Sequence, residues 1–307
     1  MTELTPPLIS VCVCTYKRAD LLRLLLDGLA SQTLAPESFE VVVVDNDAFA
    51  SAKEVVEQAG QRHPALVLRY DVESMQGISH ARNKAVALAA GQLLAFIDDD
   101  EQPAANWLAD LLATMNAMDA DAVLGPVLPR YPPTTRAWVI KSRFFERPRF
   151  PTGTVLEHKS CRTGNALVKA QRVKSRRPEA FDTFLSQSGG EDLHFFEWLA
   201  RQGGRLVWCD TAEVREEVPA ARQNLHYMLA RSLRVSTIYW QNVNRTRGAG
   251  AALAEAALGL GIGIWFALLG LCFLPAGTHR AARRWVTSAK GFGRITALSG
   301  ASIVGYR

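Results

Sequence analysis

LLAFIDDDE, residues 93–101, sets five apolar residues directly against four acids. An apolar run of this length with no polar alternation reads as a strand covered on both faces, and its abrupt end delivers Asp98, Asp99 and Asp100 to one edge of a sheet. EVVVVDND, residues 40–47, repeats the pattern with four valines followed by Asp45-Asn46-Asp47. Working outward, residues 8–15 form a β-rich run, and leucines at helical spacing follow over 20–30. A helix is predicted over 51–62, a strand over 66–70 and a helix from Gly77 to Ala90 with Gly91 as its C-terminal cap. Strands alternating with helices at this spacing predict an α/β fold with a doubly wound, mostly parallel sheet, whose ligands gather beyond the carboxyl ends of the strands.

Beyond Pro103 the pattern loosens. A helix is predicted near 107–119, a strand near 122–127, and the Pro- and Arg-rich stretch 129–151 is expected to form loops over the site. An apolar strand returns at 164–169, Gly189-Gly190-Glu191-Asp192 opens a helix over 193–201, and a strand at 206–208 closes a domain of residues 1–220. Residues 221–307 are expected to form a helical, basic appendage. Within it, residues 256–274 carry no charge, and at about 1.5 Å per residue they approach the roughly 30 Å hydrocarbon core of a bilayer. Arg245 and Arg247 precede this segment and Arg280, Arg283 and Arg284 follow it, so flanking charge does not orient it. Gly259, Gly261, Gly263 and Gly270 argue against a rigid isolated helix. A buried hairpin in a soluble fold is one reading; the favoured one is a membrane-embedded or re-entrant segment whose flanking cations meet anionic headgroups.

Composition narrows the class. The 307 residues carry a net charge of +5 and are 48% hydrophobic and 21% charged, values of a chain that folds throughout. Arginines gather in the C-terminal third without a nucleic-acid-reading motif, so a phosphate-rich or anionic-lipid partner is expected and nucleic acid is not. The five cysteines include no CxxC pair; Cys12 and Cys14 read as core residues in a reducing compartment. MTELTPPLIS has neither the basic nor the apolar region of a secretory signal, which leads us to expect a cytoplasmic location and to treat the sequon Asn244-Arg245-Thr246 as chance.

Adjacent carboxylates at a strand end repel one another unless a cation sits among them, and a hard divalent ion, Mg2+ or Mn2+, held there could clamp a diphosphate. A solvated acidic turn is the alternative; position at the sheet edge favours the metal. Likewise, Asp45 alone could cap a helix, Arg82 could be a surface charge, and Glu191 and Asp192 are acids that suit any helix start.

VCVCTYKR (11–18), VVVVDND (41–47), GISHARN (77–83), FIDDDE (96–101), TGN (163–165) and GGED (189–192) together resemble the family 2 inverting glycosyltransferases of GT-A fold, in order and spacing. Within that family, CVCTY and VVVVDNDA are most similar to bacterial exopolysaccharide glucosyltransferases of the succinoglycan-assembly type. The resemblance implies that Thr15, Tyr16, Arg18, Asp45, Arg82 and Asp98 contact the nucleotide-sugar donor, with Asp99 auxiliary beside them and Asp100 binding the metal. It implies Asp192 as catalytic base, with Gly164, Asn165 and Glu191 on the acceptor side. Transfer of one sugar, from a UDP-linked donor to a lipid-linked glycan at the cytoplasmic face of the bacterial inner membrane, is the expected activity. The processive QxxRW string is missing after the GGED motif. A nucleotidyltransferase and a non-catalytic membrane scaffold are the rivals; TYKRAD lacks the glycine-rich phosphate loop that the first usually carries.

Overall fold

The computed structural model describes residues 7–186, 189–244 and 248–299, so Arg245, Arg247 and most of the sequon lie outside the described residues. The chain divides into two compact units: one runs to Leu128 and resumes over Arg147–Glu216, the other joins Pro129–Glu146 to the chain from Glu217 onward.

The first unit is built on a seven-stranded sheet. Its strands are β1 (Ile9–Thr15), β2 (Phe39–Asp45), β3 (Val67–Val72), β4 (Leu93–Asp98), β6 (Ala122–Leu124), β8 (Asn165–Lys169) and β9 (Leu206–Trp208), in the order β3-β2-β1-β4-β8-β6-β9. Strands β3, β2, β1 and β4 are parallel. Strand β8 runs antiparallel between β4 and β6, so the sheet is mixed at the point where the sequence pattern loosens. Register then aligns the polar ends. Thr15 lies opposite Asp45, Cys14 opposite Asp98, and Ile97 opposite Asn165.

The valine run is apolar throughout because helices cover both faces. Val41 and Val43 pack with Leu22, Leu25, Leu26 and Leu29 of α1 (Ala19–Ala30), with α2 (Lys53–Arg62) and with α4 (Trp107–Met118). Val42 and Val44 pack with Ala81 and Ala85 of α3 (Ile78–Leu88), with α6 (Ala170–Ser175) and with Phe195, Phe196 and Leu199 of α7 (Glu191–Arg201). A short antiparallel pair, β5 (Glu101–Pro103) with β10 (Val214–Glu217), continues from the acidic edge and escapes the sequence reading because each strand is too short to show a period.

One expectation is corrected. Helix α3 ends at Leu88 with Ala89 in extended conformation as its C-cap, so Gly91 caps nothing. Gly91 is instead pressed against β1, where an added Cβ would lie 2.6 Å from Ser10 N and 2.8 Å from Ile9 C. The stretch 129–151 holds loops together with the end of β7 (Val127–Arg130) and α5 (Ala137–Ser142).

The second unit is helical, with α5, α8 (Leu225–Asn244), α9 (Ala249–Phe273) and α10 (Thr278–Thr296). Glycines of α9 lie in its seam with α10. A Cβ on Gly259 would meet Gly291 O at 2.6 Å, and one on Gly263 would meet the Phe292 ring at 2.8 Å. The glycines expected to weaken this helix therefore let a neighbour approach its backbone, as small residues do between packed apolar helices; only Gly261 of the four faces open space.

Because backbone atoms of β1 cannot yield, Gly91→Ala should lower stability by about 1–3 kcal/mol. Chemical denaturation would show a lower midpoint with an unchanged slope.

Candidate active site

The carboxyl ends of β1 and β4 meet through Asp99. Thr15 Oγ1 donates to its Oδ2 at 2.8 Å, and Arg18 Nη1 donates to its Oδ1 at 3.0 Å and reaches Asp100 Oδ2 at 3.3 Å. Asp99 is thus buried and fastens the first loop to the acidic edge. Asp98 is its opposite, with a side chain 47% exposed and one oxygen 3.3 Å from Arg82 Nη2.

Arg82, on the second turn of α3, is 7% exposed and forms a short ion pair with Glu191, the first residue of α7. Its guanidinium also lies 5.7 Å from the Phe181 ring centroid. Burial works against the Arg82 charge, but Glu191 and then Asp98 outweigh it and raise the pKa above its ordinary value. Burial pushes Glu191 up and Arg82 counters it. Asp192 follows in the same turn, with a side chain 18% exposed and Arg162 Nε 3.8 Å from its Oδ2. Arg82 thereby joins the end of β4 to the start of α7, reaching a partner 109 residues along the chain in Glu191.

Negative charge is crowded at this edge. Burial, then Asp98, Glu216 and Asp99, push Asp100 up to about 7, with Arg18 pulling the other way. Burial and Asp98 likewise push Glu101 well above the usual carboxylate range. Glu101 is buried, and its Oε2 accepts from Asp98 N at 3.0 Å, holding the turn that presents the aspartates. Gly164 completes the packing: a Cβ there would come within 2.7 Å of Glu101 Oε1 and 3.1 Å of Asp98 Oδ2. An excess of hard oxygen donors with one carboxylate exposed fits a divalent cation, which would relieve the repulsion. Among the described residues no group of three or more His, Cys, Asp or Glu side chains could hold a metal. A cation here would therefore draw further ligands from outside the chain.

The structure brings Thr15, Arg18, Arg82, Asp98, Asp99, Asp100, Gly164, Glu191 and Asp192 into one region; other expected residues sit in its frame. Asp45 is fully buried, accepting from Asp47 N at 3.0 Å, Ala52 N at 2.7 Å and Tyr70 Oη at 3.0 Å. Asn165 donates to Pro126 O at 3.0 Å and Ala212 O at 2.7 Å while accepting from Trp107 Nε1 at 2.8 Å, which occupies its whole amide. Tyr16 is half-buried, with Lys17 Nζ 5.1 Å from its ring centroid. Two residues were passed over: Glu101, and Asn46, whose amide donates to Glu73 O and Met75 O at 2.9 and 2.8 Å and accepts from Gly77 N at 2.7 Å. The available signal was the same for both, a polar residue within the acidic cluster that ends an apolar strand.

A mixed sheet of this order, with a DxD-type acidic edge on β4 and a second acidic pair opening a helix beside it, defines a glycosyltransferase of GT-A type. The fold agrees with solved structures. It resembles the mannosyltransferase PcManGT from Pyrobaculum calidifontis in complex with GDP-Man and Mn2+, with TM-score 0.61, 21% identity, and 94% of this chain and 87% of that one covered. It also resembles S. aureus TarS 1–349 in complex with UDP-GlcNAc, with TM-score 0.56, 18% identity and coverage of 92% and 89%. In sequence, residues 10–181 match the Glycosyl transferase family 2 model, and the chain belongs to that family. It is 35% identical over 229 residues to the succinoglycan biosynthesis protein ExoM of Rhizobium meliloti, covering 74% of this chain and 72% of that protein. Glycosyltransferase AglE of Haloferax volcanii is 33% identical over 208 residues, 68% of this chain and 62% of its own length.

Removing Arg82 leaves Glu191 buried without its countercharge. Arg82→Met should cost about 3–5 kcal/mol of stability, and Arg82→Met with Glu191→Leu should recover much of it. A double-mutant cycle from urea titrations measures both, and additive losses would remove the coupling.

Proposed function

We propose that the chain transfers one sugar from a UDP-linked donor to a hydroxyl of a lipid-linked glycan, with inversion at the anomeric carbon, in cell-surface polysaccharide synthesis at the cytoplasmic face of the bacterial inner membrane. The observation that carries this reading is the Arg82 bridge, which joins the exposed Asp98 to the Glu191-Asp192 pair. A group-transfer site needs a diphosphate end and an acceptor end within reach of each other, and one buried guanidinium links both. The complexes of the two structural relatives with UDP-GlcNAc and with GDP-Man and Mn2+ support a nucleotide-sugar donor and a divalent cation. The name of the ExoM relative supports polysaccharide synthesis.

In this reading Asp100 would hold Mg2+ or Mn2+, and the exposed Asp98 beside it would contact the nucleotide-sugar donor. The bound cation supplies neutralisation of the departing diphosphate. Thr15 and Arg18 fix Asp99, and through it the two reactive aspartates. Asp192 takes the proton from the acceptor hydroxyl as it attacks, a step to which a positioned base contributes roughly 10²–10⁴ in rate. Direct attack on the face opposite the diphosphate inverts the anomeric centre. Helix α9, the one described helix long and apolar enough to cross a membrane, supports an acceptor presented on a lipid.

Asp192→Asn removes basicity but little shape. Donor affinity should persist while turnover falls at least about 100-fold, the signature of a contact made in the transition state. Loss of both together would assign Asp192 to the framework. Asp100→Asn should abolish the metal-dependent part of UDP-sugar binding in calorimetry, whereas an unchanged metal dependence would remove Asp100 from the cation site.

A further inference from the structure

We infer that the α9–α10 hairpin lies flat in the surface of an anionic phospholipid bilayer and does not span it. The inference rests on the membrane reading above and is independent of the catalytic roles. Helix α9 has 25 residues, roughly 37 Å at 1.5 Å per residue, and so has the length to cross. Its neighbour prevents it. Helix α10 runs antiparallel along α9: a Cβ on Gly270 would overlap Trp285 Nε1, Ser288 Oγ donates to Gly263 O at 2.7 Å, and Arg294 pairs with Glu255 at 2.7 Å. These contacts fix the register over most of the length of α9. Gly291 packs between Gly259 and Gly263, which sets Lys290 level with the middle of α9.

An upright α9 would therefore carry the Glu255–Arg294 pair and the exposed Lys290 into hydrocarbon, where ionised side chains are strongly disfavoured. Helix α8 would have to follow, because Ser236 Oγ donates to Lys290 O at 2.7 Å and Thr237 and Thr296 share a 2.5 Å hydrogen bond. That helix brings Arg231 and Arg234 with it. Lying flat avoids all of these charges. The face of α9 turned away from α10 is apolar and exposed along its length, through Leu253, Leu260, Ile264, Trp265, Leu268 and Leu271. This is the geometry of a helix buried to one side in the headgroup and acyl boundary.

Charge selects the surface. At the turn into α10, Arg280 is exposed and Arg284 lies 4.9 Å over the ring of Phe273, in the last turn of α9. Arg283 donates to the carbonyl oxygens of Ser142 and Lys141 at 3.0 and 2.6 Å, which brings the exposed Lys141 to the same end. Four cations thus flank one end of the apolar face, complementary to phospholipid phosphates. A second copy of this chain would cover the apolar stripe without accounting for them.

The test uses the full chain with vesicles of phosphatidylethanolamine and phosphatidylglycerol. Flotation should recover the protein with these vesicles and at least about 10-fold less with phosphatidylcholine alone. Trp265→Glu with Leu268→Glu should cut flotation at least about 10-fold while UDP binding and the thermal midpoint stay unchanged. In a Cys272→Ser background, Ala251→Cys and Ala276→Cys at the two ends of the segment should both react with a membrane-impermeant maleimide from the same face of sealed membrane vesicles. Labelling from opposite faces would overturn the flat arrangement and establish a span, leaving the membrane reading intact. No flotation, with a stable dimer in solution that Trp265→Glu and Leu268→Glu dissociate, would overturn the membrane reading itself and assign the stripe to a second copy.

Discussion

A guanidinium that is 7% exposed has to be neutralised where it stands, and Arg82 meets that requirement with two carboxylates from separate parts of the chain. An uncompensated charge in the interior is among the most expensive defects a fold can carry. Helix α3 can therefore take its place only when the turn after β4 and the first turn of α7 arrive as well. The same constraint sets the spacing between the exposed aspartate on one side and the second acidic pair on the other. Packing alone would leave that spacing loose, because Gly189 and Gly190 before α7 both adopt positive φ and accommodate many approach angles.

The parallel half of the sheet was legible because its evidence is local. Four buried valines in succession, and leucines at positions 22, 25, 26 and 29, are readable without knowing what they touch. The acidic edge was legible for the same reason, as a run of like charges directly after an apolar strand. What escaped depends on distant partners. Nothing near Gly91 announces that β1 passes against it, and the antiparallel insertion of β8 follows from register with β4 and β6, not from any pattern within NALVK. Asp99 looked auxiliary between two more interesting neighbours, yet it is the residue that Thr15 and Arg18 hold.

Motif residues divide by what occupies their polar atoms. Asp45 and Asn165 are filled by donors and acceptors of the chain itself, and Asn46 ties the loop after β2 to the loop after β3. Asp98 keeps an exposed face at the same sheet edge. A sequence string presents these residues as equals, since adjacency in a motif records neither direction nor burial. The division matters for interpretation, because loss of a framework residue moves the whole site, whereas loss of an exposed carboxylate removes one function from a site that stays in place.

Seated on lipid as proposed, the exposed apolar stripe of α9 would also change how the protein meets other molecules. A protein held to a surface by such a stripe keeps two directions of translation and gives up the third, so its encounters with anything embedded in that surface scale with molecules per unit area. Collision frequency then follows the crowding and fluidity of the lipid sheet, while a soluble reactant still arrives from the bulk in three dimensions. For such a protein the two reactants are supplied under different diffusion laws, and a change in lipid composition alters the supply of one without touching the other.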